Sequence, residues 1–224
     1  MKTIALLPFK VNSERVPNKN FKSIGGKYLY KWMLEKLIMC HFIDEVIINT
    51  DADNLIDHDN IFSNDKVNIR KRRKEICGDH TSMNLVIEDD VKNSLGDIYI
   101  MTHTTNPLLS TDTINRAFEL FLNKSTKLHE CDSLFSVNRI QTRFYKKSGI
   151  PINHNPKDLA RTQDLEAYYE ENSNLYIFTK DSFNSSSSRI GINPYLFETP
   201  RIESFEIDDK EDWFIVEKLL QNYG

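Results

Sequence analysis

Pro8-Phe9-Lys10-Val11-Asn12-Ser13-Glu14-Arg15-Val16-Pro17-Asn18-Lys19-Asn20 is the stretch on which the fold turns. A short apolar run, Ile4-Ala5-Leu6-Leu7, precedes it and reads as a first β-strand. An amphipathic segment from about Leu29 to Ile38 follows it and reads as a helix. Ligands of α/β proteins sit outside the carboxyl ends of the strands, so a cationic loop between first strand and first helix is a phosphate-binding candidate. Pro8 opens the loop, Lys10, Arg15 and Lys19 charge it, and Asn12, Ser13 and Asn20 can donate hydrogen bonds. No glycine occurs before Gly25-Gly26. That excludes both the P-loop and the three-glycine dinucleotide fingerprint. Side chains as well as backbone must hold a phosphate here.

Working outward, strand-like runs alternate with helical patterns. Val46 to Thr50, Val67 to Ile69, Asp97 to Met101, Ser133 to Val137 and Leu175 to Phe178 read as strands. Met83 to Val91, Thr111 to Leu122 and Lys210 to Leu220 read as helices. This alternation predicts an α/β fold with a mostly parallel sheet covered by helices on both faces. From about Asn138 to Arg161 the alternation stops, and a polar stretch with Gly149, Pro151 and Pro156 reads as a loop or small β excursion. Ser185 to Ser188 reads as a flexible surface loop.

With 224 residues and no long linker, the chain reads as a single domain over 1–224 with room for a sizeable core. A net charge of −4 gives no support to nucleic-acid binding. No apolar run approaches the roughly 18 residues of a membrane span, and the N-terminus lacks a signal peptide pattern. Cys40, Cys77 and Cys131 are unpaired in spacing, which speaks against a disulfide framework or zinc site and for a reducing cytoplasm.

Four further blocks carry candidate chemistry. Arg70-Lys71-Arg72-Arg73-Lys74 follows a strand and leads to Asp79 and Ser82. His103, Thr104 and Thr105 follow the most apolar strand. Gln141 and Arg143 lie on one side of the polar excursion, with Arg161, Gln163 and Asn172 on the other. Glu206-Ile207-Asp208, read as a strand, points two carboxylates to one side, where a hard divalent cation would relieve their repulsion. Asp209, Glu211 and Asp212 read as the acidic start and cap of the last helix.

Ser13, Arg15, Pro17, Lys19 and Asn20 together resemble the signature of the acylneuraminate cytidylyltransferases, the CMP-sugar synthetases, which carry a Ser-Lys/Glu-Arg-x-Pro-x-Lys-Asn run. Similar blocks recur in order along nearly the whole chain. The resemblance implies a Rossmann-like nucleotidyltransferase sheet with a small dimerisation excursion over about 138–200. It implies that CTP activates a 2-keto sugar acid, a sialic-acid-like nonulosonic acid, giving a CMP-sugar for surface polysaccharides and pyrophosphate. It further implies Mg²⁺ or Mn²⁺ as cofactor, CTP and the sugar acid as partners, and a homodimer.

Residue by residue, Lys10, Arg15, Lys19 and Asp208 would be catalytic. Pro8, Asn12, Ser13, Asn20, Arg72, Asp79 and Ser82 would join the nucleotide site. His103, Thr104, Thr105, Gln141, Arg143, Arg161, Gln163 and Asn172 would meet the sugar acid, Arg161 its carboxylate. Arg143 also reads as a surface ion-pair partner. Glu206 and Asp208 would bind the metal, with Asp51 as a further candidate. The chain departs from the family pattern at Arg73 for proline, His103 for glutamine, Asn106 for serine, Leu109 for arginine and Glu206 for aspartate. These departures leave open another acceptor, such as Kdo or a phosphonate, or a catalytically silent nucleotide-binding protein on the same fold.

Overall fold

Strand β1 (Thr3–Leu6) is buried along its whole length, and its alternation divides the core. Ala5, with Leu7 beyond the strand, packs into one cluster, and Ile4 and Leu6 into another on the opposite face. A strand buried on both faces must lie inside a sheet with helices on either side. The computed structural model describes residues 1–52, 59–78, 80–127, 130–158 and 160–223 and has that architecture.

After β1 come a small hairpin, β2 (Ser23–Ile24) and β3 (Lys27–Tyr28), helix α1 (Leu29–Met39), β4 (Glu45–Thr50) and β5 (Val67–Lys71). Then follow α2 (Met83–Lys92), β6 (Ile98–Thr102), α3 (Thr111–Phe121), β7 (Ser133–Ile140) and β8 (Tyr168–Thr179). The chain closes with α4 (Lys180–Ser186), β9 (Pro194–Glu198) and α5 (Lys210–Tyr223). Seven strands form one sheet in the order β5-β4-β1-β6-β8-β7-β9. Pairing is parallel except where β8 meets β6 and β7. The sheet is thus mostly parallel, as the sequence predicts.

Residues of α1 and α3 cover one face: Met33, Leu34 and Leu37 meet Ile114, Ala117, Phe118 and Phe121. Phe42 stacks on Phe118 with ring centroids 3.9 Å apart. On the other face α2 contributes Ile87 and Val91 against Tyr99, Met101, Tyr176 and Phe178. Each fully buried Leu, Ile, Val, Phe or Met among them gains roughly 1.5–3 kcal/mol. A third cluster joins Val16, Ile24 and Leu29 to Ile207, Trp213 and Val216, which docks α5 against the start of the chain.

Three readings change. The run Ser185 to Ser188 is not simply a loop: Ser185 and Ser186 end α4, and Ser187 closes it at φ 52°. Ser185 and Ser186 donate to the carbonyls of Asp181 and Ser182. Glu206-Ile207-Asp208 belongs to no strand. The 138–161 region is a β arm at its base, where Val137 to Ile140 pair with Tyr168 to Glu171, and irregular at its tip. No helix among the described residues is long and apolar enough to cross a membrane.

Candidate active site

From β1 the chain moves outward to β4 and β5 on one side, and β6 lies on the other side of β1. The strand order therefore reverses between β1 and β6, and a ligand crevice belongs outside their carboxyl ends. A cleft of about 260 Å³ opens there. Pro8, Lys10, Ser13, Lys19 and Asn20 line it from the β1 loop, His103, Thr104 and Thr105 from the end of β6, and Arg72 and Glu206 from beside them. Phe9, Ile76, Met83 and Val86 give it apolar surface. A recess of about 220 Å³ continues it, sharing Lys10, Ser13 and Lys19 and adding Arg15 and Asp208.

Buried Asn20 shapes the loop. Its Nδ2 donates to the Lys10 carbonyl at 2.8 Å, and its Oδ1 accepts from Thr104 Oγ at 2.5 Å. Asn20 thus ties the loop to the end of β6 and stands behind the phosphate candidates. Asp51 Oδ1 accepts from the Val11 N–H at 2.8 Å, so Asp51 anchors the loop on the β4 side. Lys19 donates from Nζ to the Ile207 carbonyl at 2.6 Å and lies 3.9 Å from Asp208 Oδ1. Burial lowers the Lys19 pKa, opposed by Asp208 and Glu206. An ammonium whose charge burial disfavours gains from an incoming polyphosphate. Arg15 Nη2 pairs with Asp208 Oδ1 at 2.9 Å near solvent.

Ile207, fully buried, sets the carboxylates. Its side chain sits in the third cluster and its N–H donates to the Thr105 carbonyl at 2.9 Å. Glu206 lines the cleft and Asp208 the recess. Glu206 Oε1 accepts from Thr105 Oγ at 2.8 Å. Burial raises the Glu206 pKa and the Asp208 charge adds to the rise, while Thr105 opposes it. A buried carboxylate beside a second carboxylate is an environment that a cation improves. No cluster of three or more metal-ligating side chains occurs among the described residues. Two hard oxygen donors fit Mg²⁺, which commonly takes one or two carboxylates and completes its shell with water and substrate phosphates. Asp209 and Asp212 cap α5: Asp209 Oδ1 accepts from the N–H groups of Glu211 and Asp212, and Asp212 Oδ2 from those of Asp208 and Asp209.

Arg72 is buried at the cleft wall and oriented by a chain of polar groups. Its Nε donates to Asn49 Oδ1 at 3.0 Å and its Nη2 to the Asn49 carbonyl at 2.7 Å. Asn49 Nδ2 donates in turn to Asp90 Oδ1 at 2.8 Å, which also accepts from Arg70 Nε at 3.1 Å. Asp90 Oδ2 is buried with no partner. Burial pushes the Asp90 carboxyl up to about 6. The sequence singles out Arg72 but not Asn49 or Asp90, whose strand and helix positions give no local sign of a polar chain.

His103 directly follows β6 and lines the cleft. Burial, Arg189 and Lys19 push its pKa down to about 3, so the imidazole is neutral. Arg189 Nη1 approaches His103 Nε2 at 3.3 Å, and its guanidinium stacks on Tyr176 at 3.7 Å. Arg189 follows the serine run and carries no sequence motif. Thr81 also lines the cleft, one position before Ser82.

Several expected site residues lie elsewhere. Ser82 caps α2, accepting from the Asn84 N–H at 3.3 Å, and is exposed because a capping residue turns toward its own helix. Asn12 is exposed at the loop's outer side. Asp79 lies outside the described residues. Gln141 Nε2 donates to the Gln163 and Leu165 carbonyls at 3.0 and 2.7 Å, and Arg143 donates to the Ala160 carbonyl. These contacts fasten the arm on itself. Arg161 is 72 % exposed and forms a two-point pair with Asp164, at 2.8 and 3.0 Å. Asn172 is buried between Ser136, Asn138 and Thr199 and holds the irregular pairing of β7 and β8. Within one chain none of Gln141, Arg143, Arg161, Gln163 and Asn172 lines the cleft. Leu109 is buried in the main cluster.

Comparison with known proteins follows the same outline. The family described as Cytidylyltransferase matches residues 4–223. A pseudaminic acid cytidylyltransferase of Campylobacter jejuni is 23% identical over 95% of this chain and 93% of its own. A CMP-N,N'-diacetyllegionaminic acid synthase of Legionella pneumophila is 25% identical over 99% and 97%. Among solved structures, a CMP:2-keto-3-deoxy-manno-octonic acid synthetase complexed with CTP superposes with a TM-score of 0.66, covering 99% of both chains at 15% identity. That last likeness concerns the fold.

Proposed function

Since the chain belongs to the cytidylyltransferase family, we propose that it activates a 2-keto sugar acid of the nonulosonic type with CTP, releasing pyrophosphate. The observation that carries this reading is the cleft at the strand-order reversal, where Lys10, Arg15, Lys19 and Arg72 gather around the carboxylates Glu206 and Asp208. Two relatives that match nearly full length are named for cytidylyl transfer to pseudaminic acid and for CMP-N,N'-diacetyllegionaminic acid synthesis, which supports the acceptor class.

The acid's anomeric hydroxyl oxygen bonds to the α-phosphorus of CTP, the bond to pyrophosphate breaks, and the hydroxyl proton leaves to solvent. Negative charge gathers on the leaving pyrophosphate. Lys10, Lys19 and Arg15 lie in the recess that would take it, and their fixed charges stabilise it without reorganisation. Arg72, oriented through Asn49, and Asn20, through the loop it shapes, position the nucleotide. Glu206 and Asp208 would hold Mg²⁺ or Mn²⁺, which screens phosphate charge when bound.

A homodimer belongs to the proposal. Arg161 and Gln163 sit on an arm outside the cleft lining, and that arm bears exposed Tyr145, Ile150, Ile152, Tyr168 and Tyr169. A second copy packed on that arm would cover these side chains and bring Arg161 to the neighbouring cleft. A cytoplasmic location fits the three free thiols. Pyrophosphate release from CTP with a panel of sugar acids tests the reading; release with Kdo or a phosphonate alone would transfer the assignment to that acceptor.

A further inference from the structure

We propose that Arg189 locks His103 into one tautomer, so that a neutral Nδ1–H at the end of β6 becomes a fixed hydrogen-bond donor selecting an oxygen of the acceptor acid. The inference rests on the reading of the reaction given above. An arginine only donates hydrogen bonds, so at the 3.3 Å contact with Arg189 Nη1 the His103 Nε2 must accept. A neutral ring that accepts at Nε2 carries its proton on Nδ1. That nitrogen has no protein partner among the described residues, and the ring lines the cleft.

Arg189 is fixed from three sides. Its guanidinium lies over the Tyr176 ring at 3.7 Å, its Nη2 approaches Glu171 Oε1 at 3.4 Å, and Nη1 also lies 3.5 Å from Met101 Sδ. The Tyr176 hydroxyl donates to the same Glu171 carboxylate. The arginine is thus placed before any ligand arrives. The charged groups facing His103 are Arg189, from the segment after α4, and Lys19, from the β1 loop. Both are cations, and both keep the ring neutral. Arg189 acts through His103, which makes it a positioning residue, whereas His103 itself touches the acceptor. A neutral donor favours a carboxylate or hydroxyl oxygen without adding charge beside the phosphate site.

The test combines NMR of ¹⁵N-histidine-labelled protein with kinetics. Comparison with His103→Gln assigns the His103 ring signals. We expect the Nδ1–H tautomer, unchanged between pH 5.5 and 8. In Arg189→Met the ring should shift toward the Nε2–H tautomer that imidazoles favour in water. The KM for the sugar acid should rise about tenfold, the loss of one well-placed hydrogen bond, with the KM for CTP unchanged. His103→Gln keeps an N–H donor and should raise the acid KM less than His103→Leu, which should match Arg189→Met. An Nε2–H tautomer in the wild type, titration within that pH range, or an unchanged acid KM in Arg189→Met overturns the proposal. Absence of pyrophosphate release with every acid counts instead against the assigned reaction, because the ring signals report the lock without turnover.

Discussion

Arg15 Nη2 lies 2.9 Å from Asp208 Oδ1, and this pair closes the recess between the loop after the first strand and the segment before the last helix. Lys19 spans the same gap by donating to the Ile207 carbonyl. The Asp208 carboxylate thus faces both Arg15 and Lys19. Asp208→Asn removes the charge while preserving shape. We expect turnover to fall by roughly 10²-fold or more with little change in Tm. Wild-type turnover at limiting Mg²⁺ would remove Asp208 from the metal site.

Lys19 and Arg15 should differ in weight. The Lys19 side chain is 11 % exposed and that of Arg15 63 %. Lys19→Ala removes a charge-assisted contact worth about 1.5–3 kcal/mol. Arg15→Ala removes a solvent-screened one worth about 1 kcal/mol or less. CTP titration calorimetry should therefore show the larger loss for Lys19→Ala, and the opposite order would place the polyphosphate at the outer rim.

The architecture was legible in the sequence because its strands are buried on both faces and its helices are amphipathic. Ile4-Ala5-Leu6-Leu7 and Ile98 to Met101 have few alternatives. The hairpin β2–β3 carried a sign in Gly25-Gly26, whose φ values of 56° and 87° suit a two-residue turn. Strand β9 had no comparable sign, since its partner β7 is distant in sequence and its first residue is Pro194. The cationic loop stands out in the sequence as charge following the first strand, and Glu206 and Asp208 as two carboxylates separated by one residue, although these two belong to no strand. Arg189, Asn49 and Asp90 do not stand out, because their roles come from contacts between segments far apart in the chain. Ser82, a serine before a helix, caps that helix, and its neighbour Thr81 lines the cleft.

Asp90 gives a pH signature in stability. Its carboxyl titrates at about 6 in the fold, above the ordinary value of 3.8. Between these values the folded state binds more protons than the unfolded state, so stability falls as pH rises from about 4 to about 6 and this contribution is then constant. Asp90→Asn keeps an oxygen for Asn49 and removes the titration. Urea denaturation at pH 4, 5, 6 and 7 should show a shallower decline for the variant across that window. An identical slope would mean that Asp90 is ionised throughout.

The arm makes a prediction about assembly. Ile152 and Tyr169 are 50 % and 46 % exposed on it. If a second copy covers them, the double variant Ile152→Glu, Tyr169→Glu should sediment as a monomer where the wild type is a dimer. It should also lose use of the sugar acid while still binding CTP. Arg161→Lys, in an intact dimer, should raise the KM for the acid and leave CTP binding nearly unchanged. A monomeric wild type with full activity would confine Arg161 to its surface pair with Asp164.

In the proposed reaction the cleft between β1 and β6 joins CTP to a nonulosonic acid. The most direct measurement is pyrophosphate release by the purified protein with CTP, Mg²⁺ and, in separate reactions, pseudaminic, legionaminic and N-acetylneuraminic acids, with Kdo and a phosphonate as controls. We expect release with at least one nonulosonic acid, equal formation of the CMP-sugar, and loss of both in Asp208→Asn. Binding of CTP with no release for any acceptor would rule out this reaction and leave a nucleotide-binding protein on this fold.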